Sequence, residues 1–291
     1  MATNYNQIAY SKSADGREGF TTLYPNLNIE KHTAQLIGED NKLIWGSFGN
    51  KTKTIAYEQA DIPDMPSIDV AVHITQVTKG NSGWRGPSGA NGGSYPVLAG
   101  EQYTISSYIK NNGTQDLVID LQLGVSAKED QSSPGYFKNQ VTVPANSGWV
   151  RKTSTITIPE GYNWAWSYIY SATPTVTSDW SFAGYKVEKG TTATPWMPHE
   201  SEVTSQDYPT YIGTYTDENE NSSTNPADYT WEMMNYRIYL DGIAVAGSKL
   251  LSAKVENLKP DTSYTIQVKQ VSGEEESDFS DSVTFKTNVQ K

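Results

Sequence analysis

The sequence predicts an all-β protein in two parts, and three observations carry that prediction. Tyr is abundant at 19 residues and Trp frequent at 8; aromatic and β-branched residues suit pleated surfaces. No helical period of useful length runs through the chain. Period-two alternation recurs instead, and a strand sends successive side chains to opposite faces.

At 291 residues the chain is long enough for two domains, one of which can bury a sizeable core. Cys is absent, so neither disulfides nor a thiolate metal site contribute, which fits folding in a reducing cytoplasm. Residues 1–25 hold no apolar signal-peptide core, and no apolar run approaches a membrane span. The net charge of −11 argues against nucleic acid as a partner. The charge is unevenly placed. Residues 199–291 hold 7 Lys and Arg against 16 Asp and Glu, giving −9, while residues 1–198 hold 15 against 17, giving −2. A nearly neutral large domain suits glycans without strong charge. The acidic end is a solvated surface or a face that docks on a basic partner.

Residues 1–26 are polar, turn at Asp15-Gly16, and read as an extended lead-in: an edge strand or a contact to neighbouring subunits. Strands are expected over 53–60 and from Val70 through Ile74, with Pro63 and Pro66 between them. Lys79 to Gly100 reads as a long irregular loop with seven glycines, in which Trp84, Arg85 and Tyr95 are the large residues. Loops this long are usually functional or disordered. Trp84 either faces a ligand or plugs the end of the sandwich.

From Gln102 to Lys110 the chain alternates, with Tyr103, Ile105 and Ile109 against Thr104, Ser106 and Tyr108. Asn111-Asn112-Gly113 is a hairpin signal. The return strand sets Leu117, Ile119, Leu121 and Leu123 against Asp120 and Gln122. The aliphatic sets must face the core, so the expected hairpin presents Tyr108, Asp120 and Gln122 together on its other face. An aromatic beside a carboxylate and an amide suits a sugar, offering a ring for its C–H groups and acceptors for its hydroxyls. A polar loop over 126–136 ends in Tyr136, and a second hairpin is expected across residues 144–148. Over residues 163–171, Trp164, Trp166, Tyr168 and Tyr170 share one face against Ala165, Ser167 and Ile169. The aromatic stripe is either core or an open binding face. Ala, Ser and Ile make a thin core face, which favours Trp166 and Tyr168 on the open side.

The stretch 178–196 closes the large domain. Trp180, Phe182, Gly184 and Lys186 alternate with Ser181, Ala183, Tyr185 and Val187; Gly190 and Pro195 form the exit, and Trp196 is expected to tuck back. Eight to ten strands over 27–198 make an antiparallel jelly-roll sandwich the economical architecture. Residues 199–230 are polar, acidic and turn-rich, and read as a linker or docking segment. Residues 231–291 return to short alternating stretches and form a small β module.

The run VEKGTTATPWMPHESEVTSQDYPTYIGTYTDENENSSTNPADYTW is similar to segments of tail and baseplate proteins of siphophages of lactococci, streptococci and lactobacilli. AYSKSADGREGFTTLYPNLN, Ala9 to Asn28, resembles the lead-in to a jelly-roll carbohydrate-binding module. YRIYLDGIAVA and NLKPDTSYTIQVKQV look like the latter part of a fibronectin type III domain, with Leu258, Pro260, Thr262 and Tyr264 at tyrosine-corner spacing. Its first two strands are missing. Either residues 203–231 supply them or a partner chain covers the open edge. The resemblance implies an accessory adhesion protein of the virion, made in the host cytoplasm, that binds a host cell-wall saccharide and meets other baseplate proteins through its C-terminal module. No cofactor is expected; the resemblance allows a structural calcium.

No catalytic set is legible. His32, His73 and His199 have no zinc spacing, and the nucleophile elbow of serine hydrolases is absent. The expectation is a protein without enzymatic activity, with Trp84, Arg85, Tyr108, Asp120, Gln122, Tyr136, Trp166 and Tyr168 as candidate saccharide-binding residues. A structural spacer and a glycan-cleaving enzyme with two facing carboxylates are the alternatives.

Overall fold

In a computed structural model, residues 4–31, 33, 46–49, 53–76, 82–85, 94–171, 177–255 and 258–288 are described. They form two compact units. One comprises residues 27–203; the other joins residues 1–26 to residues 204–291. Strand β1 (Tyr5–Ser11) belongs to the second unit. The first holds β2 (Gly46–Gly49), β3 (Lys53–Gln59), β4 (Val70–Gln76), β5 (Ser82–Arg85), β6 (Tyr95–Pro96), β7 (Gln102–Asn111), β8 (Leu117–Ser126), β9 (Gly135–Val143), β10 (Ser147–Thr157), β11 (Trp164–Ser171) and β12 (Ser178–Lys189). Among the described residues, no helix is long and apolar enough to cross a membrane.

Residues 27–203 fold as two antiparallel sheets. One runs β10-β7-β12-β4-β3; the other runs β2-β5-β11-β8-β9, with β6 beside β11. The alternation of β8 buries Leu117, Ile119, Leu121, Leu123 and Val125 between the sheets, where they meet Tyr103, Ile105 and Ile109 of β7 and Trp180 and Phe182 of β12. Each such side chain contributes about 1.5–3 kcal/mol on burial.

Three expectations change here. The hairpin expected at Asn111-Asn112-Gly113 does not form, because β7 and β8 lie in different sheets. The Asn111 amide donates to the carbonyls of Gln115, Val143 and Pro144, which ties the crossing chain to the neighbouring crossing of 144–146. The second expected hairpin is also a crossing, from β9 in one sheet to β10 in the other. The stretch read as the irregular loop 79–100 contains β5 and β6.

Strand β12 departs from strict alternation. Its register to β7 shifts between Ala183 and Lys186, and Gly184 there takes φ +58°. The bulge reverses the phase, so Trp180, Phe182, Tyr185 and Val187 all face the core. A Cβ on Gly184 would stand 2.6 Å from Ile68 Cδ1, so glycine meets both the φ and the space there.

The outer face of the five-stranded sheet is covered by a second cluster of Ala60, Ile62, Met65, Ile68, Ala71, Ala183 and Trp196, with Tyr108 and Trp149 packed on it. Trp196 tucks back as expected. Lys186 and Glu188, fully buried on this side, hold the exit segment: Lys186 Nζ donates to Thr194 Oγ1 at 2.7 Å and the Pro195 carbonyl at 2.8 Å, and Glu188 accepts from Thr194 N and Oγ1 at 2.9 and 2.6 Å. At the start of the unit, Asn28 Nδ2 donates to the Tyr185 carbonyl at 2.8 Å and its Oδ1 accepts from Val187 N at 2.9 Å.

The other unit adds β13 (Tyr211–Asp217), β14 (Thr230–Met233), β15 (Tyr236–Leu240), β16 (Ile243–Ser248), β17 (Ser263–Ser272), β18 (Glu275–Glu276) and β19 (Val283–Lys286). One sheet is β1-β13-β14. The other is β16-β15-β17, with β18 and β19 also on β17. Within the first 26 residues, β1 is an edge strand, one of the two readings of the lead-in: it pairs along its whole length with β13, Tyr5 opposite Asp217 through Ser11 opposite Tyr211. The stretch read as a linker supplies β13 and most of β14's flank. Tyr10, Ile212, Met234 and Val271 form a core from both sheets. The strands missing from the fibronectin-like pattern therefore come from this chain. Tyr264 Oη accepts from Lys259 N at 2.9 Å, as a tyrosine corner requires. Arg237, buried, lies 4.4 Å from the Tyr208 ring, donates to Tyr24 Oη at 3.2 Å, and pairs with Glu276 at 2.6 Å.

Candidate saccharide-binding face

The site is built on the outer face of the sheet containing β8, β9 and β11. Its rows follow from register. Gly124 of β8 lies opposite Tyr136 of β9 and Trp166 of β11; Gln122 opposite Lys138 and Tyr168; Asp120 opposite Gln140 and Tyr170. Because the odd-numbered residues of β8 fill the core, these even-numbered ones must face away from it. The aromatic stripe of β11 therefore lies on this outer face, with Ala165 and Ile169 turned to the core.

Gly124 allows the close approach of the indole. A Cβ there would stand 2.3 Å from Trp166 Cε2, so any side chain would displace the ring. Trp166 Nε1 donates to Tyr168 Oη at 2.7 Å. Tyr136 meets Trp166 and Tyr168 edge-on, at centroid separations of 6.4 and 6.1 Å. Tyr136 is 53% exposed, whereas Trp166 and Tyr168 are buried at 1% and 8%. The open-face placement of Trp166 and Tyr168 holds in register but not in exposure, since both are packed beneath other groups.

The polar half of the face also differs from expectation. Asp120 and Gln122 are buried and offer no acceptor to solvent, although Asp120 Oδ1 has no hydrogen-bond partner. The Asp120 carboxylate binds the ammonium of Lys138. Lys138 Nζ also donates to Tyr170 Oη at 3.3 Å, and Tyr170 Oη donates to Gln122 Oε1 at 3.0 Å. Asp120 raises the Lys138 pKa by accepting its hydrogen bond, so the ammonium stays charged. Burial, then Asp120, pushes the Tyr170 hydroxyl upward. Lys138, Gln140 and Tyr170 thus bring polar groups of this face toward solvent, and the pattern reading missed all three as site residues. The signal lay in β9, whose alternation Tyr136, Lys138, Gln140 matches the outward row.

Tyr108 is not part of this face. It lies on β7 in the other sheet, packed against Gly184 and Ile68, with the Arg151 guanidinium 5.8 Å from its ring. Its expected company with Asp120 and Gln122 depended on the hairpin that does not form. Arg85 is in register with Tyr168 and Trp84 with Ile169, so β5 extends the same sheet; their side chains lie outside the described residues. Among the described residues, no group of three or more His, Cys, Asp or Glu side chains is placed to hold a metal ion, so the calcium allowed by the resemblance has no such side-chain set there.

Residues 209–267 match the family model for the C-terminal domain of Minor structural protein 5-like proteins. Over 100% of both chains, the protein is similar to a chain of the tripod from the baseplate of bacteriophage Tuc2009, at 29% identity and a TM-score of 0.65. Remoter likenesses are the CBM22-1 xylan-binding domain of Paenibacillus barcinonensis Xyn10C (12% identity, 58% of this chain, 99% of that one, TM-score 0.37) and tailspike protein 4 of bacteriophage CBA120 (7%, 58%, 22%, 0.40). These two are too distant to carry an argument. No curated protein matches. The family model and the full-length likeness bear out the resemblance to phage baseplate proteins.

Proposed function

We propose that this phage baseplate protein is a non-catalytic adhesion component that binds a saccharide of the host cell surface through the outer face of β9, β8 and β11. The observation that carries this reading is the row of Tyr136, Lys138 and Tyr170 over a packed layer of Trp166 and Tyr168. An exposed ring beside hydrogen-bonding groups provides both parts of sugar recognition, an apolar plate and polar anchors. The second unit, which contains the family match, anchors the protein to other baseplate proteins. Single-site affinity is weak, and the many copies on a virion raise it through effective concentration. The non-catalytic reading rests on the match to a structural family.

The test is binding of the full chain to wall polysaccharide from lactococci, streptococci and lactobacilli by calorimetry. Saturable binding to one of them, lost in Tyr136→Ala while the variant stays folded, supports the reading. The second reading is a structural spacer of the tail, favoured by the burial of Trp166 and Tyr168. It predicts no saturable binding to any of the three.

A further inference from the structure

The charge arrangement around Lys138 bears on which glycans the face accepts. The Lys138 side chain is 43% exposed, while that of its counter-ion Asp120 is fully buried directly beneath it. An ammonium has three donors. One goes to Asp120 and one to Tyr170, which leaves one for a ligand. Lys138 also lies 5.7 Å from the Tyr170 ring centroid, so both its charge and its position are held from the protein side.

An anionic substituent reaching the free donor would be drawn to the ammonium. It would also come within a few ångströms of the buried Asp120 carboxylate, whose like charge opposes it. A neutral hydroxyl or ring oxygen meets no such opposition. It accepts the third hydrogen bond while its ring lies against Tyr136, two residues along the same strand face.

Resting on the saccharide-binding reading above, we infer that Asp120 neutralises Lys138 from beneath and makes this face selective for uncharged, hydroxyl-bearing sugar rings over phosphate- or carboxylate-bearing glycans. Asp120 is here a specificity-determining residue that acts through Lys138 and need not touch the ligand.

The test separates wall polysaccharide from lactococci, streptococci and lactobacilli by anion exchange into neutral and phosphate-bearing pools, and titrates each into the full chain. The wild type binds the neutral pool, with affinity changing less than about twofold between about 50 and about 300 mM NaCl. Lys138→Met weakens binding to the neutral pool and gains nothing on the anionic pool. Asp120→Asn frees the ammonium and gains salt-sensitive binding to the anionic pool. Should Asp120→Asn fail to fold, the wild-type salt series and Lys138→Met still decide the matter. A salt-sensitive preference of the wild type for the phosphate-bearing pool overturns the inference and leaves the saccharide reading standing. Neutral-pool binding untouched by Lys138→Met also overturns it. Binding to neither pool removes the saccharide reading itself, and this inference with it.

Discussion

The ring of Tyr136 stands perpendicular to that of Trp166, at an interplanar angle of 89° and a centroid distance of 6.4 Å. One ring is exposed and the other buried, so Tyr136 forms the outer layer of an aromatic stack whose inner layer is fixed by Gly124. An edge-to-face pair contributes about 0.5–1.5 kcal/mol beyond its buried area. Tyr136→Ala uncovers the indole beneath. Quenching of tryptophan fluorescence by acrylamide is expected to rise, while the melting temperature falls by only a few degrees. Unchanged quenching would show that Tyr136 does not cover Trp166.

Gly184 is expected to tolerate no branched side chain. Gly184→Val meets both a positive φ and the Ile68 methyl 2.6 Å away. The cost is about 1–3 kcal/mol from overpacking, with backbone strain added. Urea unfolding followed by tryptophan fluorescence reads it as a lower midpoint. A wild-type midpoint would mean that the bulge does not set the phase of β12.

Stability should depend on pH through Lys186. Burial pulls its pKa down to about 7 from the ordinary 10.5, against the opposing influence of Glu188. Between those values the unfolded chain binds more protons than the folded one, so this group makes stability rise with pH; the gain is lost as pH falls toward 7. Burial raises the pKa of Tyr95 and Tyr185 above 10, so their contribution is present below pH 10 and is lost as pH rises beyond it. The melting temperature should climb from pH 7 toward pH 10 and then fall. The profile of Lys186→Met should lack the climb and keep the fall. Identical profiles for the two proteins would contradict the assignment.

In the second unit, Tyr264→Phe deletes the hydroxyl that accepts from Lys259 N. A loss of about 1 kcal/mol is expected, with glycan binding unchanged because that unit does not contain the face. Hydrogen exchange at the Lys259 amide reports the change directly. Wild-type protection in Tyr264→Phe would show that the corner is not closed by this bond.

Local pattern made some of this architecture legible and could not reach the rest. Leu117 to Leu123 announced their face, because burial of one side of a strand imposes period two. The alternation of Trp164 to Tyr170 left open whether the rings or Ala165, Ser167 and Ile169 face inward, because burial depends on what packs above each face; Ala165 and Ile169 lie in the core, and Trp166 and Tyr168 are buried all the same. Tyr264 was legible through its spacing to Leu258 and Pro260. What failed depended on distant partners. Asn111-Asn112-Gly113 reads as a hairpin turn, and only the carbonyls of Val143 and Pro144, far along the chain, make it a crossing between layers. Tyr108 was therefore assigned to the wrong face. The pairing of β1 with β13 joins residues 200 or more positions apart, beyond any local signal. Asp120 looked like a free acceptor because nothing in its own strand reveals that Lys138 sits opposite the neighbouring row and reaches it.

The decisive question is which outer face of the sandwich meets the ligand. Tyr136 lies on the sheet of β8, β9 and β11; Lys110, half-buried, lies on β7 in the opposite sheet. Calorimetric titration of wall polysaccharide into Tyr136→Ala and Lys110→Ala, each checked for an intact fold by circular dichroism, compares the two faces directly. Tyr136→Ala is expected to lose binding and Lys110→Ala to retain it; binding that survives in Tyr136→Ala and disappears in Lys110→Ala would place the site on the opposite sheet.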